Sequence, residues 1–186
     1  MNRSLVLIAL CFSACATAGP RPLKFVAPPG WVDLSTGAPA ANLERLPPDV
    51  RKQLGAGSTL FMAMDLDHPV DGLVAVGRGV MIGPINFNDR NYVADLIKVM
   101  VSGGMTNPVV EPRLVQQVKC VRLRGDRQGP NGLVLRQLVF VFPAGSHVGQ
   151  LTFAVTAARY AEYEPVFTRA AEGTTGLLLR KEPPSK

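Results

Sequence analysis

The segment 65–72 (Asp-Leu-Asp-His-Pro-Val-Asp-Gly) brings together three carboxylates and one of the two histidines of the chain. Carboxylate oxygens and imidazole nitrogens bind divalent cations, so Asp67, His68 and Asp71 are candidate metal ligands. Their spacing is neither that of an EF-hand loop nor that of a His-Glu-x-x-His zinc helix. Asp, Pro and Gly are also the residues that a hairpin turn requires, and this interpretation is preferred. We therefore expect a turn here, with no resident metal ion and no other cofactor.

Cys120 and His147 are a candidate thiol–imidazole pair for nucleophilic catalysis. Cys120 falls inside an apolar strand pattern, however, where an inert buried thiol is the usual outcome. Ser146 lies in the segment 145–149 (Gly-Ser-His-Val-Gly), but a serine-hydrolase elbow requires the serine at the centre of that motif. The sequence therefore predicts no catalytic residue and no enzyme, and a hydrolase is the least favoured function.

The beginning of the chain has the pattern of an export signal. Arg3 precedes an apolar run over 5–12, which is too short to span a bilayer because a spanning helix needs about 20 residues. Small residues follow, and Cys15 among them is a candidate for lipidation, since the segment 12–15 (Phe-Ser-Ala-Cys) resembles a bacterial lipobox. Cleavage after Ala18 by ordinary signal peptidase stays open. We expect an exported protein that is anchored in the periplasm or at the outer membrane through Cys15, or alternatively secreted.

Length and composition place the rest of the chain in one domain. The sequence has 186 residues, 47% of them hydrophobic, and a formal net charge of +6. Its basic residues are scattered and its aromatic residues amount to only 6%, so no nucleic-acid partner is expected. We expect a monomer with a signal over 1–18, a tether over 19–23, a single α+β domain over 24–180 and a polar tail over 181–186.

The periodicity of apolar residues predicts about six strands and two main helices. The strands are predicted over 24–27, 59–66, 73–82, 114–124, 133–142 and 148–156, and a short edge strand over 177–179 is a further candidate. The main helices are predicted from Asn88 to Gly103 and over 162–171, and a short helix is predicted over 47–54. Since consecutive strands joined by short turns pair antiparallel, the sequence predicts an α+β sandwich.

Three segments resemble the PsbP-like fold family. The segment 25–31 (Phe-Val-Ala-Pro-Pro-Gly-Trp) is similar to the opening strand and Pro-Gly-Trp turn of these domains, and 149–153 is similar to their penultimate strand. Tyr160, Tyr163 and Phe167 resemble the aromatic face of their closing helix. The resemblance implies an α/β/α sandwich and a small exported bacterial lipoprotein. It implies no active site, because the family shares none.

These observations favour a non-catalytic cell-envelope lipoprotein that binds a protein partner or helps to assemble a complex. The alternative is an exported domain that binds a small ligand or a lipid. Trp31 and the tyrosines are candidates for lining its pocket, since ligand sites combine aromatic walls with a few polar groups. The alternative therefore predicts a concave apolar pocket, and a tightly filled core would exclude it.

Overall fold

A computed structural model describes residues 23–35, 39–46, 59–82, 91–115, 118–129, 132–144 and 147–175. Its seven strands are β1 (Val32–Asp33), β2 (Thr59–Met64), β3 (Val76–Ile82), β4 (Met105–Val115), β5 (Val118–Gln128), β6 (Val134–Ala144) and β7 (His147–Thr156). They form one sheet in the order β1-β2-β3-β7-β6-β5-β4, in which every neighbouring pair is antiparallel. The helices are α1 (Ala40–Glu44), α2 (Tyr92–Ser102) and α3 (Tyr160–Glu172), and α3 follows a 3₁₀ turn over Ala157–Arg159.

The predicted α+β class and the antiparallel pairing are confirmed, but the strand count is not: the described residues form seven strands instead of about six. The strand β1 was not predicted, and neither was most of β4. In β4, Pro108 and Pro112 interrupt the usual strand pattern, and they are tolerated because β4 is an edge strand whose outer N–H groups need no partner. The strand predicted over 114–124 in fact joins the end of β4 to the beginning of β5.

The strand predicted over 24–27 is also wrong. This segment makes only an isolated bridge in which Lys24 and Thr175 exchange two backbone hydrogen bonds. Leu23, at the end of the predicted tether, is buried in the core. The predicted elements over 47–54 and 177–179, the signal over 1–18 and the tail over 181–186 lie outside the described residues.

One face of the sheet is covered by α3, and we call it the closed face. On β7 the residues Leu151, Phe153 and Val155 lie on this face, as the alternation of the sequence predicts. Tyr160, Tyr163 and Phe167 of α3 pack on them, and all three side chains are buried. Phe140, Phe142 and Phe61 complete the largest core of the domain.

The opposite face, which carries Gln150, Thr152 and Ala154 of β7, is covered only in part, and we call it the open face. The buried Leu96 of α2 packs on the part of this face formed by β5 and β6. At the other edge, β1 and α1 pack on β2 around Val32, Leu34 and Leu46. No described element covers the strip between these two clusters, where β3 and β7 lie.

Helix lengths in this structure are short. Within the described ranges, none of the helices has both the length and the apolar character that crossing a membrane requires.

Candidate functional site

The segment 65–72 lies in the connection between β2 and β3 and includes a tight turn. Val70 and Leu73 exchange two backbone hydrogen bonds of 2.7 and 2.8 Å. The two residues between them, Asp71 and Gly72, have φ values of 50° and 74°. Positive φ at both central positions defines a type I′ turn, for which Asp-Gly is a favoured pair. The preferred interpretation of this segment as a hairpin turn therefore agrees with its backbone.

The three candidate metal ligands are not brought together. Asp67 accepts a hydrogen bond of 2.6 Å from Arg45, whereas His68 lies 2.9 Å from Asp65 through its Nδ1 atom. Asp71 is one of the two central residues of the turn. Throughout the described ranges, no group of three His, Cys, Asp or Glu side chains is arranged to hold a metal ion.

Asp65, which the sequence did not single out, is the buried carboxylate of this region. Its Oδ2 atom accepts a hydrogen bond of 2.6 Å from the hydroxyl of Tyr163 on α3. Burial raises the pKa of Asp65, but the hydrogen bonds from Tyr163 and His68 outweigh it and hold the pKa below its ordinary value. Burial and the neighbouring carboxylate raise the pKa of Tyr163 to about 12, so this hydroxyl remains a donor at physiological pH.

A small pocket of about 220 Å³ adjoins Asp65, and Trp31 and Tyr163 line it, as the sequence suggested for a ligand site. Its polar groups are nevertheless engaged with one another. Arg159 donates to the carbonyl oxygen of His68 at 3.0 Å and to both carboxylate oxygens of Glu162. These contacts fix the β2–β3 turn against α3, so we interpret this cluster as structural.

Cys120 and His147 are separated by a strand. Cys120 lies on β5 and His147 on β7, with β6 between them. Two strand spacings amount to about 10 Å, which is beyond hydrogen-bond reach. Burial raises the pKa of the Cys120 thiol to about 11, so little reactive thiolate is present near neutral pH. Ser146 lies outside the described residues.

A second concavity is a trough of about 470 Å³ on the open face. Strands β3, β7 and β6 form its floor, and the C-terminal end of α2 forms a wall. The residues that line this trough are Val76, Arg78, Val80, Met81, Val99, Met100, Gly103, Arg127, Gln137, Val139, Gln150, Thr152 and Ala154.

Strand register places the polar residues of the floor side by side. Arg78 of β3 is directly opposite Thr152 of β7, and Gln137 of β6 is directly opposite Ala154 of β7. Side chains of directly opposite residues lie about 4.5–5.5 Å apart at Cβ. Gln150 also donates a hydrogen bond of 2.9 Å to the hydroxyl of Thr152. The floor is therefore a continuous surface that mixes polar and apolar groups.

The trough has donors and positive charge. Its polar side chains are Arg78, Arg127, Gln137, Gln150 and Thr152, and each of them carries a hydrogen-bond donor. The described residues that line it include no Asp or Glu. Arg127 lies beside the end of α2 and forms no ion pair with any described residue. The site can therefore bind a group that accepts hydrogen bonds or carries negative charge.

The sequence contained only faint signals of this trough. Arg136 and Gln137 interrupt an otherwise apolar strand, and Gln150 and Thr152 alternate with core residues on the next strand. Such residues are typical of a face in contact with solvent. Their combination with Arg78 depends on the pairing of β3 with β7, which are about 70 residues apart and could not be paired from sequence alone.

Comparison with known proteins finds solved structures that are similar to this chain, but no matching sequence family. No family model matches the chain, and no curated protein matches it. Cyanobacterial PsbP from Synechocystis sp. PCC 6803 is similar over 88% of this chain and 98% of its own, with 10% identity and a TM-score of 0.49. The likeness is one of fold. It agrees with the PsbP-like resemblance that the sequence suggested.

Two further solved structures are similar at the same level. LpqN of Mycobacterium tuberculosis, described as involved in cell envelope biogenesis, matches 82% of each chain with 12% identity and a TM-score of 0.49. A protein of unknown function from Pseudomonas aeruginosa matches 61% of this chain and 78% of its own, with 15% identity and a TM-score of 0.47. Likenesses at these TM-scores carry no information about what this chain binds.

Proposed function

We propose that this protein is an exported, non-catalytic accessory module of the cell envelope that binds a small ligand in the trough of the open face. The observation that supports it is the concave strip over β3 and β7, where half-buried polar side chains lie on central strands. Its volume of about 470 Å³ falls in the range of small-molecule sites, roughly 300–1,000 Å³.

An antiparallel sheet can leave one face in water, so an uncovered face is not by itself a binding site. The trough differs from such a face because the end of α2 forms a wall along one side of it. The half-buried Met100 and the exposed Val99 line the trough from α2, and Val76 and Val80 line it from β3. A ligand in the trough would contact apolar groups along its length and donors at the floor, which is the usual composition of a ligand site.

A protein partner, which the sequence favoured, is the second candidate. Val99 and Val101 at the end of α2 are 63% and 48% exposed, and apolar side chains that are exposed together mark interaction surfaces when they form a patch. We place the small ligand first because the adjoining surface is concave.

A non-catalytic role is proposed because the described residues do not form a nucleophile, base and orienting group within reach of one another. The buried Cys120 lies two strands from His147, and Asp65 is engaged with Tyr163.

Export and membrane attachment through Cys15 also belong to this proposal. Labelling with a fatty-acid analogue should mark the wild-type protein and not a Cys15→Ala variant, and label that persists in the variant would exclude the lipoprotein.

The trough is tested with the neutral fluorescent probe N-phenyl-1-naphthylamine. We expect one binding site in the wild-type protein. Thr152→Trp should abolish it by filling the floor, because the larger side chain projects from the middle of β7. Ala161→Trp, at an exposed position on α3, is the matched control and should bind as the wild type does. Absence of binding, or equal binding by both variants when circular dichroism shows them folded, would contradict the proposal.

A further inference from the structure

We infer that the ligand of the trough is a single-chain amphiphile with an anionic head group, such as a carboxylate or a phosphate ester. This inference rests on the proposed function and adds the chemical class of the ligand. It follows from the arrangement of charge in the trough, where two guanidinium groups and three neutral donors line a surface that has no carboxylate among its described residues.

The positive charges are distributed over two strands that are not neighbours. Arg78 lies on β3 and Arg127 on β5, with β7 and β6 between these strands in the sheet. Both side chains are exposed enough to reach a ligand while they line the trough. Guanidinium groups form charge-assisted hydrogen bonds with carboxylate and phosphate oxygens, which are stronger than bonds between neutral groups. A cationic ligand would instead meet like charge.

The remaining surface of the trough is apolar, so a ligand that covers it needs an apolar part. The half-buried Val76 and Val80 of the floor and Met100 of α2 line the trough together with the exposed Val99. A small hydrophilic anion would leave these groups in water, whereas the removal of apolar surface from water is favourable. An acyl chain would cover this apolar surface. The unbranched side chain of Met100 has several rotatable bonds, which allow the wall to adapt to the chain.

The concave shape favours a free amphiphile over the surface of a bilayer. A bilayer presents a broad plane of head groups, but the trough is a recess beside α2 whose apolar groups can contact a chain only after the chain has left the membrane. We therefore commit to a dispersed single-chain amphiphile and make vesicles an arm of the test.

Displacement of N-phenyl-1-naphthylamine tests this inference, with dodecanoate, dodecyltrimethylammonium and 1-dodecanol as competitors below their limits of aggregation. Dodecanoate should displace the probe at about one tenth of the concentration that the ammonium compound needs, or less, which corresponds to roughly 1.4 kcal/mol. Arg127→Met and Arg78→Met should each weaken dodecanoate about fivefold or more, and leave 1-dodecanol unchanged. Arg169→Met, at an exposed position on α3, is the matched control and should change nothing.

A salt titration of the wild-type protein provides evidence that does not depend on the folding of any variant. Dodecanoate binding should weaken between low and high salt, while binding of the neutral probe stays constant, because screening acts on the charged head only. Vesicles of phosphatidylglycerol should fail to retain a soluble form of the protein that begins after Cys15.

The inference is overturned if the ammonium compound and dodecanoate are equally effective, if neither arginine variant weakens dodecanoate, or if the phosphatidylglycerol vesicles retain the soluble form. In each of these cases the neutral probe still binds in the trough, and the proposed function stands. Failure of the probe to bind the wild-type protein contradicts the proposed function itself.

Discussion

The two faces of the sheet differ most clearly on β7, where adjacent residues belong to opposite environments. Phe153 is fully buried on the closed face, stacked on Phe167 with ring centroids 4.8 Å apart and in edge contact with Trp31. Thr152, its neighbour in sequence, lies half-buried in the trough of the open face beside Gln150. One strand thus contributes to the stability of the fold on one side and to a polar recess on the other.

This difference separates residues that hold the domain together from those available for binding. Aromatic residues of the closed face contact α3, whereas the half-buried Gln150 and Thr152 of the trough contact each other. Substitutions on the closed face should therefore lower the free energy of unfolding, and substitutions in the trough should alter binding at nearly constant stability.

The largest effect is expected from Phe153→Ala. Removing a fully buried ring should lower the free energy of unfolding by about 3–5 kcal/mol, since transfer and cavity terms add. Thr152→Ala, one residue away, is the matched control and should change it by less than about 1 kcal/mol. Urea unfolding followed by circular dichroism measures both, and equal losses would remove the distinction between the two faces.

A smaller effect is expected from Gly77→Ala on β3. A Cβ atom at this position would lie 2.8 Å from the Phe153 ring and 3.2 Å from the Phe61 ring, so the core must shift. We expect a loss of about 1–3 kcal/mol, as for other overpacked cores. Gly103→Ala is the control, since its Cβ atom would be 3.4 Å from its nearest neighbours, and it should be nearly neutral. Comparable losses from both variants would show that backbone effects dominate.

Asp65→Asn should cost on the order of 1.5 kcal/mol near neutral pH, because it weakens the charge-assisted bond with Tyr163. The pKa of Asp65 is lowered in the folded state, so its stabilising contribution is complete above the unfolded pKa of about 4 and is lost as the pH falls through the folded value. The difference between wild type and variant should therefore shrink below about pH 4.

Unfolding of the Asp65 variant by urea at several pH values checks this dependence. Asp67→Asn is the control, since its exposed pair with Arg45 should contribute less than about 1 kcal/mol. A difference between wild type and Asp65→Asn that grows on acidification would contradict the assigned direction of the pKa shift.

The smallest effect on stability is expected in the trough. Gln150→Leu removes a donor from the floor and should change the free energy of unfolding by about 0.5 kcal/mol or less. The same substitution should weaken dodecanoate displacement about two- to tenfold, which is the range for one hydrogen bond. If the variant loses stability but keeps its affinity for dodecanoate, Gln150 contributes to the fold and not to ligand binding.

The sequence predicted those elements whose own pattern determines them. The spacing of apolar residues in α2 and the alternation along β7 gave both elements within a few residues. The edge strand β4 was missed because Pro108 and Pro112 argue against a strand, and their tolerance depends on the position of β4 in the sheet.

The candidate site could not be predicted in the same way. The segment 65–72 attracted attention because its residue types can bind metals, but its turn uses Asp71 and Gly72 for their backbone conformation. The trough combines Arg78 with Gln137 through two strand pairings, and one of these joins distant parts of the chain. Whether the polar residues of a strand form a site can be judged only when the neighbouring strands and the position of α2 are known.

The central claim, that the open face binds the ligand, is tested most directly by intermolecular nuclear Overhauser effects. Dodecanoate is added to protein labelled at its Val, Leu and Met methyl groups. We expect contacts from the acyl chain to Val76, Val80 and Met100 of the trough and none to Leu151 or Val155 of the closed face. Contacts confined to the closed face, or none to the trough when dodecanoate is bound, would contradict it.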